Sequence, residues 1–271
     1  EQTVINFIIA VGMTYVILSG GIDLSVGSLV AISGVVFASI LQAGLPLPAA
    51  LAAGLLTGAA FGLVNGLLIT VGRLPPFIAT LGMMSIARGA ALVFTDGRPI
   101  SGFAPGFRTL ATGRLFAIPV PVILAVVVFV VAQFVLARTR FGRYVYAIGG
   151  NEEATRLSGV AVRVHKTAIY GLSGVTSACA AVLLTARLNS AQPIAGIMYE
   201  LDAIAATVIG GTSLMGGEGS LAGTLIGALI MGVLRNGLNL LGISSFLQQI
   251  VIGVVIVLAV LVDSALKAKR R

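Results

Sequence analysis

Residues 138–166 read RTRFGRYVYAIGGNEEATRLSGVAVRVHK, a basic, polar island between apolar runs at 119–137 and 167–186. Each flanking run is long enough to cross a bilayer. Six of the chain's seventeen Lys and Arg residues lie in the island: Arg138, Arg140, Arg143, Arg156, Arg163 and Lys166. Its centre, Gly149-Gly150-Asn151-Glu152-Glu153-Ala154-Thr155-Arg156-Leu157-Ser158-Gly159, carries the signals of a short helix. Asn151 is a good N-cap, and Glu152 and Glu153 fall in the first turn, where the helix dipole favours acids. Ser158-Gly159 stops the helix, which leaves acids at one end and Arg156 near the other. A helix of about two turns does not hold its shape alone, so flanking membrane helices and a partner must order it. The plain alternative is an ordinary cytoplasmic loop.

The rest of the chain is built to live in lipid. Hydrophobic residues make up 58% of it and charged residues 10%, where a soluble domain carries about 25% charged residues. Repeated long apolar runs then specify an all-α, polytopic membrane protein. The net charge of +8 sits in loops and in the tail Lys267, Lys269, Arg270, Arg271. Topology explains that excess, and nucleic acid is not an expected partner. Cys179, the one cysteine, lies within an apolar run, which excludes an internal disulfide and a cysteine metal cluster. The single His165 reads as a solvated loop residue beside Lys166. The thirty-five glycines point to close helix packing and interrupted helices.

Nine apolar segments are predicted, at about 4–19, 26–43, 49–71, 76–95, 119–137, 167–186, 201–216, 219–241 and 246–264. The positive-inside rule places the island and the basic tail in the cytoplasm, with four crossings between them. Five crossings before the island put Glu1 outside, and one further upstream helix, giving ten crossings, is expected. The loop 96–118, with Asp96, Arg98, Arg108 and Arg114, then lies outside, its three arginines running against the rule. The chain reads as one transmembrane domain over 1–271, with no soluble energy-supplying domain of its own.

Two stretches resemble each other: GLLTGAAFGLVNGLLITVGRLPPF at 54–77 and GTLIGALIMGVLRNGLNLLGISSF at 223–246. Gly54 matches Gly223, Gly58 matches Gly227, Asn65-Gly66-Leu67 matches Asn236-Gly237-Leu238, and Phe77 matches Phe246. The first copy runs inward and the second outward, as in an inverted-topology repeat with halves of about 1–118 and 119–271. Shared glycine-rich composition is the other explanation. Gly54, Gly58, Gly62 and Gly66 leave one helix face bare, which reads as a packing surface.

Few polar residues lie in or near the spans. Asp23, followed by Ser25, comes after two glycines and precedes a helix; Asp202 stands at the start of the short segment 201–216. Both read structurally as acids that cap or charge-match helix N-termini, and functionally as a gate or a contact for a polar substrate. Arg88 and Arg235 fall inside apolar spans, where an arginine costs about 2.5–3.5 kcal/mol on insertion scales. Snorkelling or an aqueous path would relieve that cost. Asp23, Ser25, Arg88, Asp202 and Asn236 are therefore candidates for a translocation path or gate. No nucleotide loop, HExxH or paired carboxylate set supports catalysis, and no cofactor or metal site is expected in the chain. Trp is absent, which removes a favoured platform for stacking a sugar and suits a weak, transient site.

Several ordered segments resemble the permease subunit of ribose-type ABC importers. They are Ala10-Val11-Gly12-Met13-Thr14, SGGIDLSVGSL at 19–29, Phe77-Ile78-Ala79-Thr80-Leu81 and GGNEEATRLSG at 149–159. They continue with Ser190-Ala191-Gln192-Pro193, YELDAIA at 199–205, GGTSL at 210–214 and NGLNLL at 236–241. The resemblance spans nearly the whole chain. It implies a multi-pass bacterial inner-membrane protein with a cytoplasmic C-terminus and two permease copies, a homodimer. It also implies a cytoplasmic ATPase that holds ATP and Mg, and an extracytoplasmic sugar-binding protein. The island is then similar to the coupling helix of such importers, with Gly149, Gly150, Asn151, Glu152, Glu153, Ala154, Arg156 and Gly159 as ATPase-coupling residues. Thr155 stands where those importers carry Ala and their later Pro is absent, so the docking role is carried over and individual contacts are not. Ribose is the expected cargo, with other pentoses, hexoses and sugar-like signalling molecules left open. The rival readings are an ATP-independent channel or secondary transporter, which has no use for a docking helix, and an intramembrane enzyme.

Overall fold

The computed structural model describes residues 2–103 and 105–268, with side chains described at 3–103 and 106–261. Glu1 and the tail residues Lys269, Arg270 and Arg271 lie outside the described residues, as does the side chain of Lys267. The fold is all-α. Its first helices are α1 (Gln2–Leu18), α2 (Val26–Gln42), α3 (Leu47–Thr70) and α4 (Pro76–Thr95). The connection that follows holds β1 (Ile100–Ser101), α5 (Thr109–Thr112), β2 (Arg114–Leu115) and β3 (Ile118–Pro119). Then come α6 (Val120–Arg138), α7 (Arg140–Gly150), α8 (Glu152–Leu157), α9 (Val162–Leu188), β4 (Ser190–Ala191), α10 (Tyr199–Ile209), α11 (Leu221–Leu240) and α12 (Ser245–Ala268).

Local chemistry sets the helix starts. Proline occupies the first turn of α3, α4 and α6, where a missing N–H costs nothing. Thr139, Asn151 and Ser220 each accept a backbone N–H as caps of α7, α8 and α11. Among the described residues, α3, α4, α6, α9 and α11 are long and apolar enough to cross a membrane. The described apolar stretches of α1, α2 and α12 are shorter, at 3–18, 26–42 and 245–261.

The expected segment 201–216 is where the structure departs most from the sequence reading. Its helix, α10, spans 11 residues and ends at Gly210, a length of about 16 Å against a hydrocarbon core of about 30 Å. Gly211, Gly216, Gly217 and Gly219 all have positive φ, so the chain beyond Gly210 runs as a glycine-built connection.

The buried α9 stands at the centre, with α1, α2 and α3 packed against it. The bare face of α3 lies on it: a Cβ at Gly58, Gly62 or Gly66 would meet the backbone at Gly174, Tyr170 and Thr167. The glycine face is therefore a packing surface, as its spacing predicted. Hydrogen bonds join the outer helices to α1, from Tyr15 Oη to the Ala132 carbonyl at 2.6 Å and between the Thr14 and Thr224 hydroxyls at 2.8 Å.

The connections gather at two ends. At one end the Gly217 N–H donates to the Leu18 carbonyl at 2.9 Å, and Tyr146 Oη donates to the Gly219 carbonyl at 2.9 Å. There too the Thr70 and Thr167 hydroxyls lie 3.0 Å apart. At the other end β1 pairs with β4, Ile100 opposite Ala191 and Ser101 opposite Ser190. Phe37, Phe103 and Phe107 cluster beside that pair.

Candidate functional site

The island folds as two helices. Before the predicted short helix stands α7, whose Phe141, Val145 and Ile148 recur at helical spacing behind the Thr139 cap, a signal the sequence reading passed over. Gly149 does not face solvent: a Cβ there would collide with the Leu18 carbonyl and lie 2.5 Å from the Gly217 nitrogen. It seals α7 onto the end of α1 and the connection after α10. Burial pushes the Tyr146 phenol up from its ordinary value.

The second helix, α8, forms where its caps placed it. Asn151 Oδ1 accepts the Ala154 N–H at 2.9 Å, Ser158 Oγ donates to the Ala154 carbonyl at 2.8 Å, and Gly159 takes φ +83°. The helix is anchored from below by Thr155, which is buried and donates to the carbonyls of Ala147 at 2.8 Å and Asn151 at 2.7 Å. Thr155 thus does a job that Ala could not. Lys166 Nζ reaches Glu152 at 2.7 Å. Glu153 and Arg156 pair at 2.5 Å on the exposed face, and that guanidinium holds the Glu153 carboxyl below its ordinary value. Gly150, Asn151, Glu152, Glu153, Ala154, Arg156 and Gly159 are all exposed, and Leu157 is 77% exposed among them. His165 is not a free loop residue: its ring stands edge-on to Tyr144 with centroids 4.7 Å apart, in the first turn of α9.

Neither acid near the spans is an N-cap, although Asp202 does stand in the first turn of α10, where the dipole favours an acid. The N-cap of α2 is Ser25 and that of α10 is Met198, neither with a side-chain cap bond. Asp23 instead is fully buried, accepting from Ser25 N at 3.0 Å and Ser25 Oγ at 2.6 Å, and from Ser173 Oγ at 2.8 Å. Asn65 Nδ2 donates to Ser25 Oγ at 2.9 Å, so the cluster ties the break before α2 to α3 and α9. Asp202 pairs with Arg235 at 2.6 and 2.8 Å and accepts from Asn6 Nδ2 at 3.0 Å. The arginine that would be costly in lipid is thereby matched to a carboxylate.

Arg88 is likewise satisfied by protein. Its Nη1 donates to the carbonyls of Pro193 at 2.9 Å and Ala195 at 2.5 Å, which pins the turns before α10. That stretch brings Gly196 against Gly27, so the first turn of α2 and the approach to α10 cross backbone to backbone.

One cavity of about 520 Å³ lies between α1, α10 and α11, lined by Asn6, Arg187, Asp202, Arg235, Asn236 and Asn239. A second, of about 350 Å³ between α10, α11 and α12, shares Asp202 and Arg235 and adds Ser245, Gln248 and Gln249. Of the five path candidates, the structure brings Asp202 and Asn236 to one cavity, places Asp23 and Ser25 together in a closed cluster, and sets Arg88 apart as a clamp. Asn6, Arg235 and Asn239 complete the cavity; a polar residue within an apolar run marked each of them. Among the described residues no three His, Cys, Asp or Glu side chains gather to hold a metal ion.

The family described as branched-chain amino acid transport system, permease component, matches residues 2–260. The ribose import permease protein RbsC of Escherichia coli (strain K12) is 54% identical over 268 residues, 97% of this chain and 84% of that protein. RbsC of Bacillus subtilis (strain 168) is 54% identical over 265 residues, 97% of this chain and 82% of that protein. The D-allose transport system permease protein AlsC of Escherichia coli (strain K12) is 41% identical over 263 residues, 97% of this chain and 81% of that protein. No solved structure matches the chain. A match of that extent, on a bundle of apolar helices with polar connections at its two ends, means that the chain belongs to this family of multi-pass membrane transport permeases.

Proposed function

We propose that this chain is the membrane-spanning subunit of an ATP-binding-cassette importer that moves ribose or a closely related monosaccharide inward. A separate cytoplasmic ATPase, holding ATP and Mg, docks on the 138–166 loop, and an extracytoplasmic binding protein delivers the sugar to the opposite end. Two copies of the chain form the pathway. The bacterial inner membrane holds the assembly, with the island and the C-terminus on the cytoplasmic side.

The observation that carries this reading is α8: a capped helix with an exposed charged rim, an exposed Leu157 and a buried Thr155 anchor. A pore or a solute-driven carrier has no need of it. The end where α7 and α8 meet the connections after α1 and α10 would transmit a pull on α8 to both halves of the bundle. The halves 1–118 and 119–271 read as an inverted repeat. In its support, α2 and α10 each begin after an irregular stretch, and each lies against the helix of a matched glycine segment, α3 or α11. Specificity for ribose follows from the relatives' names, and the absence of Trp suits a pathway that binds sugar weakly.

Docking is tested by co-purification. Glu153→Arg reverses the charge of an exposed residue, so it should leave the permease folded while reducing recovery of the ATPase with it. Undiminished recovery together with undiminished uptake would sink the docking assignment.

A further inference from the structure

We propose that the cavity between α1, α10 and α11 is a transient monosaccharide site, and that the Asp202–Arg235 pair is the partition a sugar must open to pass on. This rests on the import function proposed above. The observations concern the cavity itself. Its volume of about 520 Å³ falls within the usual range of small-ligand sites. Its polar lining offers a carboxylate, guanidinium groups and amides from Asp202, Arg187, Arg235, Asn6, Asn236 and Asn239. That set suits a polyol, whose hydroxyls each donate and accept. Asn6 Oδ1 is buried with no hydrogen-bond partner while its Nδ2 is spent on Asp202. A buried unpaired acceptor costs about 1–3 kcal/mol, so the Asn6 amide gains by turning its oxygen toward a sugar hydroxyl in the cavity that it lines.

The same two charged residues also line the second cavity, towards Gln248 and Gln249. The ion pair is therefore the shared wall. Asp202 is 3% exposed and holds Arg235 with both carboxylate oxygens. Breaking such a pair without replacement strands a buried charge. Two neighbouring sugar hydroxyls donating to Asp202 would replace the guanidinium donors, and Arg235, whose side chain is 27% exposed, would turn to a sugar oxygen or to water, so the wall opens more readily with sugar present than without it. Specificity by hydrogen bonding and the lack of a stacking aromatic keep the stay short.

The test uses the assembled transporter, with its ATPase and a ribose-binding protein, in vesicles, in a Cys179→Ala background. The Asn236→Cys variant places a single thiol on the cavity. A small methanethiosulfonate reagent should label it, and millimolar ribose should slow labelling severalfold while glutamate does not. Arg235→Gln should lower ribose uptake about tenfold, the loss expected for a hydrogen bond to a charged group. The reciprocal swap Asp202→Arg with Arg235→Asp should restore part of that loss. If Arg235→Gln fails to assemble, the thiol protection decides. A parent complex that carries no ribose overturns the import function and this site with it. A parent complex that carries ribose while the thiol at 236 stays unprotected overturns the site alone.

Discussion

Gly27 and Gly196 touch through bare backbone: a Cβ on either would run into the carbonyl oxygen of the other. The contact lies where α2 begins and where the chain approaches α10. Gly196 also sits at φ +73°, a conformation that side chains resist. The first turn of α2 and the turns before α10 can cross here only because neither glycine carries a side chain.

Gly27→Ala should therefore destabilise the protein by about 1–3 kcal/mol through overpacking against rigid backbone. Gly196→Ala should cost more, since strain in φ is added to the clash. Gly82→Ala is the control, because nothing lies within 4 Å of its added methyl, and alanine stabilises a helix interior by about 0.5–1 kcal/mol relative to glycine. Thermal unfolding in detergent should show a lower Tm for the first two and an unchanged or higher Tm for the third. A Tm for Gly27→Ala equal to that of Gly82→Ala would contradict the crossing.

The Asp23 cluster should behave as a closed structural unit rather than a gate. Ser173→Ala removes one donor from a buried carboxylate and should cost about 1–3 kcal/mol of stability. Ribose uptake per folded transporter should stay unchanged. Loss of uptake at full stability would instead put Asp23 on the path.

Thr155→Val keeps the shape of the side chain and deletes the hydroxyl that holds α8 to Ala147 and Asn151. Loss of one such bond costs about 0.5–1.5 kcal/mol. Amide hydrogen exchange over 152–157 should quicken while the membrane helices keep their protection. Unaltered exchange would mean that α8 is ordered by its cap alone. Asn151→Ala, which deletes that cap, should raise exchange in the same segment.

Arg156 lowers the folded-state pKa of Glu153. A depressed acid contributes stability above its ordinary pKa and loses it as pH falls through the folded value. Exchange over 152–157 should thus hold its pattern from pH 7 down to the ordinary carboxylate range, after correction for intrinsic rates, and rise only below it. Arg156→Gln should move that rise to higher pH, and an unmoved rise would remove the pair from the account.

The sequence made the local features legible. Asn151, Glu152 and Gly159 mark α8 because caps and dipole matching act within one turn. The prolines before α3, α4 and α6, and the glycine face of α3, are equally local. What stayed hidden depends on partners far along the chain. Asp23 finds Ser173 across 150 positions, and Asn6 finds Asp202 across 196. No local pattern announces such pairs, so the sequence shows these acids only as polar residues at helix starts, fit to cap, to match the dipole or to gate. The shortness of α10 was foreshadowed by the glycines from Gly210 onward, but apolar length alone ran the segment on to 216. Arg88 was legible as an anomaly; its carbonyl partners at Pro193 and Ala195 were not.

The central claim is tested most directly by uptake of labelled ribose in cells that lack their own ribose permease. These cells would carry a ribose-binding protein, its ATPase and this permease, with and without depletion of ATP. The account predicts uptake that stops when ATP is depleted and that unlabelled ribose blocks better than other sugars do. Uptake that continues without ATP would contradict it.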